Sequence, residues 1–414
     1  MKDFATSSDP AVQAQLDRLS ALSVPQGRLG LETIRALLAR FGDPHLRLPP
    51  VFHVAGTNGK GSTCAFLRAM LEAEGYRVHA TTSPHLVRYN ERIRVAGELI
   101  SDARLAELLA EVLDAGEDLS PSFFEVTIAA AFCEFARVPA DACVMEVGLG
   151  GRFDATNVLT PDVLAACGIA ALGIDHERFL LAPEDGVPTE PIARIAFEKA
   201  GIAKPGVPLV TMSPTYPASA RAVIQEVAET VGAPLFDSAP TLGWAIGLPG
   251  AHQERNAGLA IAMLHQQEML PVFEAAMRVG AATARWPARL HRLAPGPLVG
   301  TREIWLDGGH NPDAGAMLAR HFGGQRIHLV IGMLDNKDPK ALVGPLAPCI
   351  AGIVAVPVPA HDHHPPEAFG DNISSAPDVP AALAMLPADD LPILIAGSLY
   401  LAGEVLRLNA EIPD

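Results

Sequence analysis

The stretch Val51–Ser62, VFHVAGTNGKGS, constrains the fold of this chain more than any other. The mostly apolar run Val51–Ala55 predicts a buried parallel strand, since a strand covered on both faces needs no polar alternation. It runs into Gly56-Thr57-Asn58-Gly59-Lys60-Gly61-Ser62, and apolar residues at helical spacing then predict a helix over Thr63–Glu74. Strand, glycine-rich turn and helix together make a phosphate cradle. Glycines let backbone N–H groups turn toward an anion, the helix start adds partial positive charge, and a lysine supplies a full one. The loop departs from the common G-x-x-x-x-G-K-[ST] pattern, because Gly56 stands too close to Gly59 and Gly61 separates Lys60 from Ser62.

At 414 residues the chain exceeds the usual range of one core, which predicts two domains. Their division is expected near Arg292–Pro297, giving domains 1–293 and 298–414, where the texture turns to Leu-Ala-Pro-Gly-Pro. The net charge of −16 argues against nucleic acid as a partner. Five cysteines (Cys64, Cys133, Cys143, Cys167 and Cys349) are odd in number and form no C-x-x-C pair, which predicts buried thiols. The start lacks a basic-then-apolar leader, and the weakly polar run Val163–Ile174 is too short for a bilayer. A soluble cytoplasmic protein with no membrane partner is expected.

Further strands are predicted over Tyr76–Thr82, Ala142–Val147, Val163–Ile169, Leu209–Met212 and Leu242–Gly247. The first ends at Ser83 and the second carries Glu146 at its end, the position of a magnesium-linked carboxylate in a chain with a phosphate loop. The third leads to Asp175-His176. Arg88, Glu91, Arg92 and Arg94 suggest a solvated face, and Lys199 a solvated helix end. Beyond Leu298 strands and helices alternate again, predicting a second open α/β sheet of about five strands. Its first strand ends in Asp307-Gly308-Gly309-His310, where an α/β crevice binds ligands.

With these residues identified, the chain resembles the folylpolyglutamate synthase/dihydrofolate synthase family of Mur-type ATP-dependent amide ligases. The resemblance rests on HVAGTNGKGS (His53–Ser62), SPHL (Ser83–Leu86), SFFE (Ser122–Glu125), EVGLGGRFDATN (Glu146–Asn157) and IDHERFL (Ile174–Leu180). It continues in EKAGIAKPG (Glu198–Gly206), HQERNA (His252–Ala257), PARL (Pro287–Leu290), DGGHNP (Asp307–Pro312), IGMLDNKD (Ile331–Asp338) and AGSLYLAGEV (Ala396–Val405). It implies an N-terminal P-loop ATPase domain and a smaller, Rossmann-like C-terminal α/β domain. It also implies a monomeric carbon–nitrogen ligase acting on small molecules (dihydropteroate, reduced folates and L-glutamate).

The roles the resemblance implies are specific. Thr57, Asn58, Gly59, Lys60, Gly61 and Ser62 would hold the ATP phosphates, with Asn256, Arg289 and Asp307 as further ATP contacts. Ser83 and Glu146 would ligate one Mg²⁺, and His176 with an N-carboxylated Lys199 would serve a second. Gly27, Arg28, Leu29, Gly30, Ser122, Phe123, Phe124, Glu125, Phe153, Asp154 and Ala155 would line a pterin pocket. Asp307, His310 and Ser398 would face the incoming amino acid. Three departures stand out: the acidic, Pro-rich Ala182–Pro191 is inserted, DGGHNP has Gly for Ala, and PARL has Ala for Gly. A ligase acting on UDP-sugars and a non-catalytic nucleotide-binding module are the rival expectations.

Overall fold

The computed structural model describes residues 6–22, 30–371 and 373–413, and every statement below concerns these. They fall into two compact units. The first comprises the chain up to Pro84, Arg88–Gly247 and Gln253–Arg285, and the second comprises His85–Val87, Leu248–His252 and Trp286 onward.

The first unit is built on an eight-stranded sheet. Its strands are β1 (Val51–Ala55), β2 (Val78–Thr81), β3 (Ile93–Val95), β4 (Glu98–Leu99), β5 (Ala142–Glu146), β6 (Leu164–Ile169), β7 (Leu209–Thr211) and β8 (Leu235–Asp237). Their order is β4-β3-β2-β5-β1-β6-β7-β8. Strand β1 lies in the middle, parallel to β5 on one side and β6 on the other, and all five of its residues are buried. That burial accounts for its unbroken apolar run. The parallel order brings the carboxyl ends of β1, β2, β5 and β6 to one edge, where Gly56, Ser83, Val147 and Ala170 emerge together.

Two expectations shift here, and the expectation of buried thiols holds. No strand forms over Leu242–Gly247, where Leu242 is 79% exposed; the outer strand is β8, too short and too exposed to announce itself by periodicity. The charged segment near Arg88 is a solvated face only in part: Arg88 is exposed, but Arg92 is buried and its guanidinium lies 4.8 Å over the Tyr89 ring. All five cysteine thiols are buried.

The second unit carries a six-stranded sheet of β9 (His291–Arg292), β10 (Ile304–Asp307), β11 (Ile327–Ile331), β12 (Ile350–Ala355), β13 (Ser374–Ser375) and β14 (Ile393–Ala396). The order is β13-β12-β11-β14-β10-β9, parallel throughout except for β9. Alternate residues feed two apolar layers. Ile304, Leu306, Val330, Ile393 and Ile395 belong to one, and Ile327, Leu329, Ile331, Leu394 and Ala396 to the other. Each fully buried side chain of this size contributes about 1.5–3 kcal/mol. Strand β9 pairs with β10 through Arg292–Trp305 and His291–Leu306, so the second unit begins at Trp286, ahead of the expected boundary. Among the described residues no helix is long and apolar enough to cross a membrane.

Candidate active site

The loop after β1 is fixed largely by the segment that follows β6. Gly56 (φ 149°) passes so close to β6 that a Cβ there would lie 2.8 Å from the Ala170 Cβ. The Thr57 and Asn58 amides donate to the Ala171 carbonyl at 2.8 and 3.1 Å, and the Thr57 hydroxyl donates to the Gly173 carbonyl at 2.8 Å. Thr57 and Asn58 therefore stitch the loop to the segment following β6, and their amides are turned away from the cradle. Gly59, at φ 84°, is the N-cap of the Lys60–Glu74 helix and has no side chain with which to cap it. The first-turn amides at Lys60, Gly61 and Ser62 thus lack the usual side-chain acceptor, which suits a bound anion.

Two residues of the Gln253–Gln266 helix close over this turn. A Cβ on Gly59 would meet the Asn256 Oδ1 at 2.4 Å, so Asn256 lies against the loop and glycine is required beneath it. The Asn256 amide donates to Gln253 Oε1 at 2.8 Å, and Gln253 Nε2 donates to Ser62 Oγ at 3.3 Å. Gln253, fully buried, had no role assigned from the sequence, although the HQERNA motif contains it.

Lys199 is not a solvated helix-end lysine. It is buried, its Nζ donates to the Gly56 carbonyl at 2.9 Å, and Lys60 Nζ donates to the same oxygen at 3.2 Å. Burial, then the charge of Lys60, pulls the Lys199 amine down to about 7, against the opposing pull of Asp175, Asp154 and Glu198. Glu146 is buried at the end of β5 and accepts the Ser83 amide at 3.1 Å, so these two candidate metal ligands are neighbours. A carboxylate beside a serine hydroxyl is a hard-oxygen donor pair suited to a divalent cation. His176 sits at φ 55° at the start of the Glu177–Leu180 turn. No three His, Cys, Asp or Glu side chains among the described residues converge as a complete ligand set. An ion here would complete its shell from ligand and water oxygens.

The pterin candidates divide. Ser122 and Glu125 cap the Phe123–Arg137 helix reciprocally, with the Ser122 amide on Glu125 Oε2 at 2.8 Å and the Glu125 amide on Ser122 Oγ at 3.3 Å. Phe124 covers Gly148, where a Cβ would lie 2.3 Å from its ring, and Phe123 and Phe124 meet edge to face. Asp154 and Ala155 are buried. Asp154 accepts the Thr156 amide (3.0 Å), the Thr156 hydroxyl (2.5 Å) and the Leu149 amide (2.8 Å), while desolvation raises its pKa. It acts as an internal clamp on the loop after β5, and the Thr156 hydroxyl meets the buried His53 Nε2 at 2.8 Å. Phe153 lies 4.2 Å beneath the Arg152 guanidinium. Gly27, Arg28 and Leu29 lie outside the described residues, and Gly30 directly precedes Leu31, the N-cap of the Glu32–Ala39 helix.

In the second unit Asp307 ends β10, only 1% exposed, and accepts the Gly309 amide at 2.7 Å and the Leu290 amide at 2.8 Å. Arg289 is thereby fixed between two left-handed residues, Ala288 (φ 56°) and Leu290 (φ 45°), a backbone that non-glycine residues adopt at a cost. Neither glycine of Gly308-Gly309 leaves room for a side chain: a Cβ would lie 2.2 Å from Leu399 Cδ2 or 2.6 Å from Ala314 Cβ. His310 Nδ1 donates to the Gly308 carbonyl at 3.0 Å. Ser398 is buried and caps the Leu399–Leu408 helix through the Tyr400 amide at 3.1 Å.

An α/β nucleotide-binding unit with this cradle, a carboxylate on the adjoining strand and a second α/β unit defines an ATP-dependent ligase. Comparison with known proteins gives the particular group. The dihydrofolate synthase/folylpolyglutamate synthase of Bacillus subtilis is 36% identical over 352 residues, covering 76% of this chain and 77% of the relative. The structure of Escherichia coli FolC in complex with DHPP and ADP superposes with a TM-score of 0.83 at 30% identity, over 97% of each chain. A bifunctional folylpolyglutamate synthase/dihydrofolate synthase with Mn, AMPPNP and L-glutamate bound gives 0.82 at 28% identity, over 98% of this chain and 99% of that one. No family model matches the chain. The chain belongs to the dihydrofolate synthase/folylpolyglutamate synthase family.

Proposed function

We propose that this protein joins L-glutamate in amide linkage to dihydropteroate and to the γ-carboxylate of reduced folates, using ATP. The observation that carries the reading is the Gly56–Ser62 loop, with Lys60 and Lys199 both on the Gly56 carbonyl and Ser83 beside Glu146 on the adjoining strand ends. A substrate carboxylate attacks the γ-phosphorus of ATP and expels ADP, giving an acyl phosphate. The glutamate amine then adds to the acyl carbon, and the tetrahedral adduct collapses with loss of phosphate. Lys60 and the first-turn amides neutralise charge on the transferring group, which is positioning and electrostatics more than covalent chemistry.

Magnesium, when bound, supplies charge neutralisation on the phosphates. Ser83 and Glu146 are proposed to hold one ion and His176 and Lys199 a second. For that second role the neutral Lys199 amine attacks CO₂, forms an N–C bond and releases one proton, replacing an ammonium with a carbamate that offers hard oxygens. An amine near 7 is half neutral at physiological pH, which favours the modification. Arg289, Asn256 and Asp307 are proposed as nucleotide contacts, Asp307 acting through the backbone it holds. Phe123, Phe124 and Phe153 are proposed as apolar contacts to the pterin, His310 as the residue that orients or deprotonates the glutamate amine, and Ser398 as a further contact to it. The protein is proposed to act as a cytoplasmic monomer.

The test is phosphate release from ATP with glutamate plus dihydropteroate, and separately with glutamate plus tetrahydrofolate. Release in both assays is expected. No release with dihydropteroate would remove the dihydrofolate synthase activity, and none with tetrahydrofolate would remove the polyglutamate activity.

A further inference from the structure

Glu184, in the acidic, Pro-rich segment Ala182–Pro191, is largely withdrawn from solvent, with 17% of its side chain exposed. Glu184 reaches two arginines: its Oε1 and Oε2 accept from Arg152 Nη1 and Nη2 at 3.1 and 2.5 Å, and its Oε2 also accepts from Arg194 Nη2 at 2.8 Å. Glu198 faces the same two guanidinium groups, taking Arg152 Nη2 and Nε at 2.8 and 3.2 Å and Arg194 Nη2 at 3.0 Å. Two cations and two anions therefore alternate in a closed ring. Its side chains retain little exposure, 20% and 6% for Arg152 and Arg194, 17% and 6% for Glu184 and Glu198. Arg152 grips each carboxylate with two nitrogens, a directional fork, whereas Arg194 reaches both through Nη2 alone.

The ring sits where the candidate ligands are carried. Glu198 directly precedes Lys199 on the Pro191–Ala200 helix, and its carbonyl accepts the Arg152 amide at 2.7 Å. The loop after Glu146 lies flush on this helix end, since a Cβ on Gly151 would be 2.8 Å from the Glu198 carbonyl and 3.1 Å from the Lys199 carbonyl. Arg194 also donates Nε to the Leu180 carbonyl at 3.0 Å, holding the end of the turn that begins at His176. One ring thus ties together the segments bearing Glu146, His176 and Lys199.

We propose that Glu184 is a positioning residue for the second metal site, holding Lys199 and His176 in register with the Glu146 strand end. The idea rests on the role proposed above for Lys199. Without Glu184, two guanidinium groups face Glu198 alone, like charges are left together, and the helix end loses its tether to the acidic, Pro-rich segment.

The test compares wild type, Glu184→Gln and Glu184→Asp, the last keeping the charge but shortening the reach. Three readouts are taken: ¹³C label from bicarbonate on Lys199 by NMR, the Mg²⁺ concentration for half-maximal phosphate release, and ADP binding with the melting temperature. Glu184→Gln is expected to lower label occupancy about tenfold and raise the Mg²⁺ requirement about tenfold, with ADP affinity within twofold of wild type. Glu184→Asp should fall between the two, and it carries the test if the Gln variant does not fold. Unchanged label and Mg²⁺ requirement in a folded variant overturn the proposal, as does a loss of ADP binding in proportion to the other losses. If wild type itself takes no label, the carbamate reading fails, and the Mg²⁺ requirement of the variants alone decides the role of Glu184.

Discussion

Lys60 and Lys199 converge on one acceptor, their Nζ atoms 3.2 and 2.9 Å from the carbonyl oxygen of Gly56. Burial, and after it the charge of the neighbouring Lys60, pulls the Lys199 amine down to about 7. The phosphate loop thereby prepares a neutral amine beside its own cation. Replacing Lys60 by Met should cut ATP-dependent phosphate release at least about 100-fold, the scale of losing a transition-state charge contact. It should also raise the pH at which Lys199 becomes acylable, read by mass spectrometry across a pH series. An unmoved Lys199 profile would show that Lys60 has no part in setting it.

His53 makes the protein sensitive to acid. Burial holds its imidazole near 3, whereas the unfolded chain protonates near 6.5. Between those values the unfolded state binds a proton that the folded state refuses. Stability from this residue is therefore complete above 6.5 and is lost as pH falls toward 3, at up to about 1.4 kcal/mol per pH unit. Urea unfolding of wild type and His53→Gln from pH 7 to pH 4 should show the variant with the shallower acid slope. Parallel slopes would be evidence against the assignment.

Gln253 links Ser62 to Asn256. Gln253→Leu keeps similar bulk but strands the buried Asn256 amide and releases the Ser62 hydroxyl. The expected cost is about 1–3 kcal/mol in stability and roughly tenfold in ATP affinity, the equivalent of about 1.4 kcal/mol. Calorimetric titration with ATP would measure the second effect, and wild-type affinity in the variant would remove Gln253 from the site.

Asp307 accepts two backbone amides, one on each carboxylate oxygen. Asp307→Asn can serve only one of them and turns its own N–H₂ against the other, leaving a buried donor unsatisfied. A loss of about 1–3 kcal/mol is expected, with a larger fall in kcat as the Arg289 backbone relaxes. Denaturant melts and steady-state kinetics would check both, and a fully active, fully stable variant would refute the anchoring role.

Much of this fold was legible from local pattern. Strand β1 follows its apolar run, and the second α/β sheet follows the alternation of strands and helices beyond Leu298. Strand β8 and the absent strand over Leu242–Gly247 were not legible, because a three-residue edge strand has too little periodicity to stand out. Within the site, the glycines, Lys60 and Glu146 are carried by motif and strand ends. Gln253 is hidden because a buried glutamine in a helix has no signature of its own.

The sequence by itself determined the parallel order of strand and helix, the phosphate loop and the second α/β unit. Each of these depends on residues within a turn or two of one another, whose spacing encodes backbone geometry. Only the tertiary structure decided that Lys199 is a buried amine rather than a solvated one, that Asp154 clamps a loop from within, and that Glu184 from the acidic, Pro-rich segment closes a ring of charges. Those properties depend on what surrounds a side chain once distant segments pack. Desolvation and charge coupling act across space, and spacing along the chain does not report them.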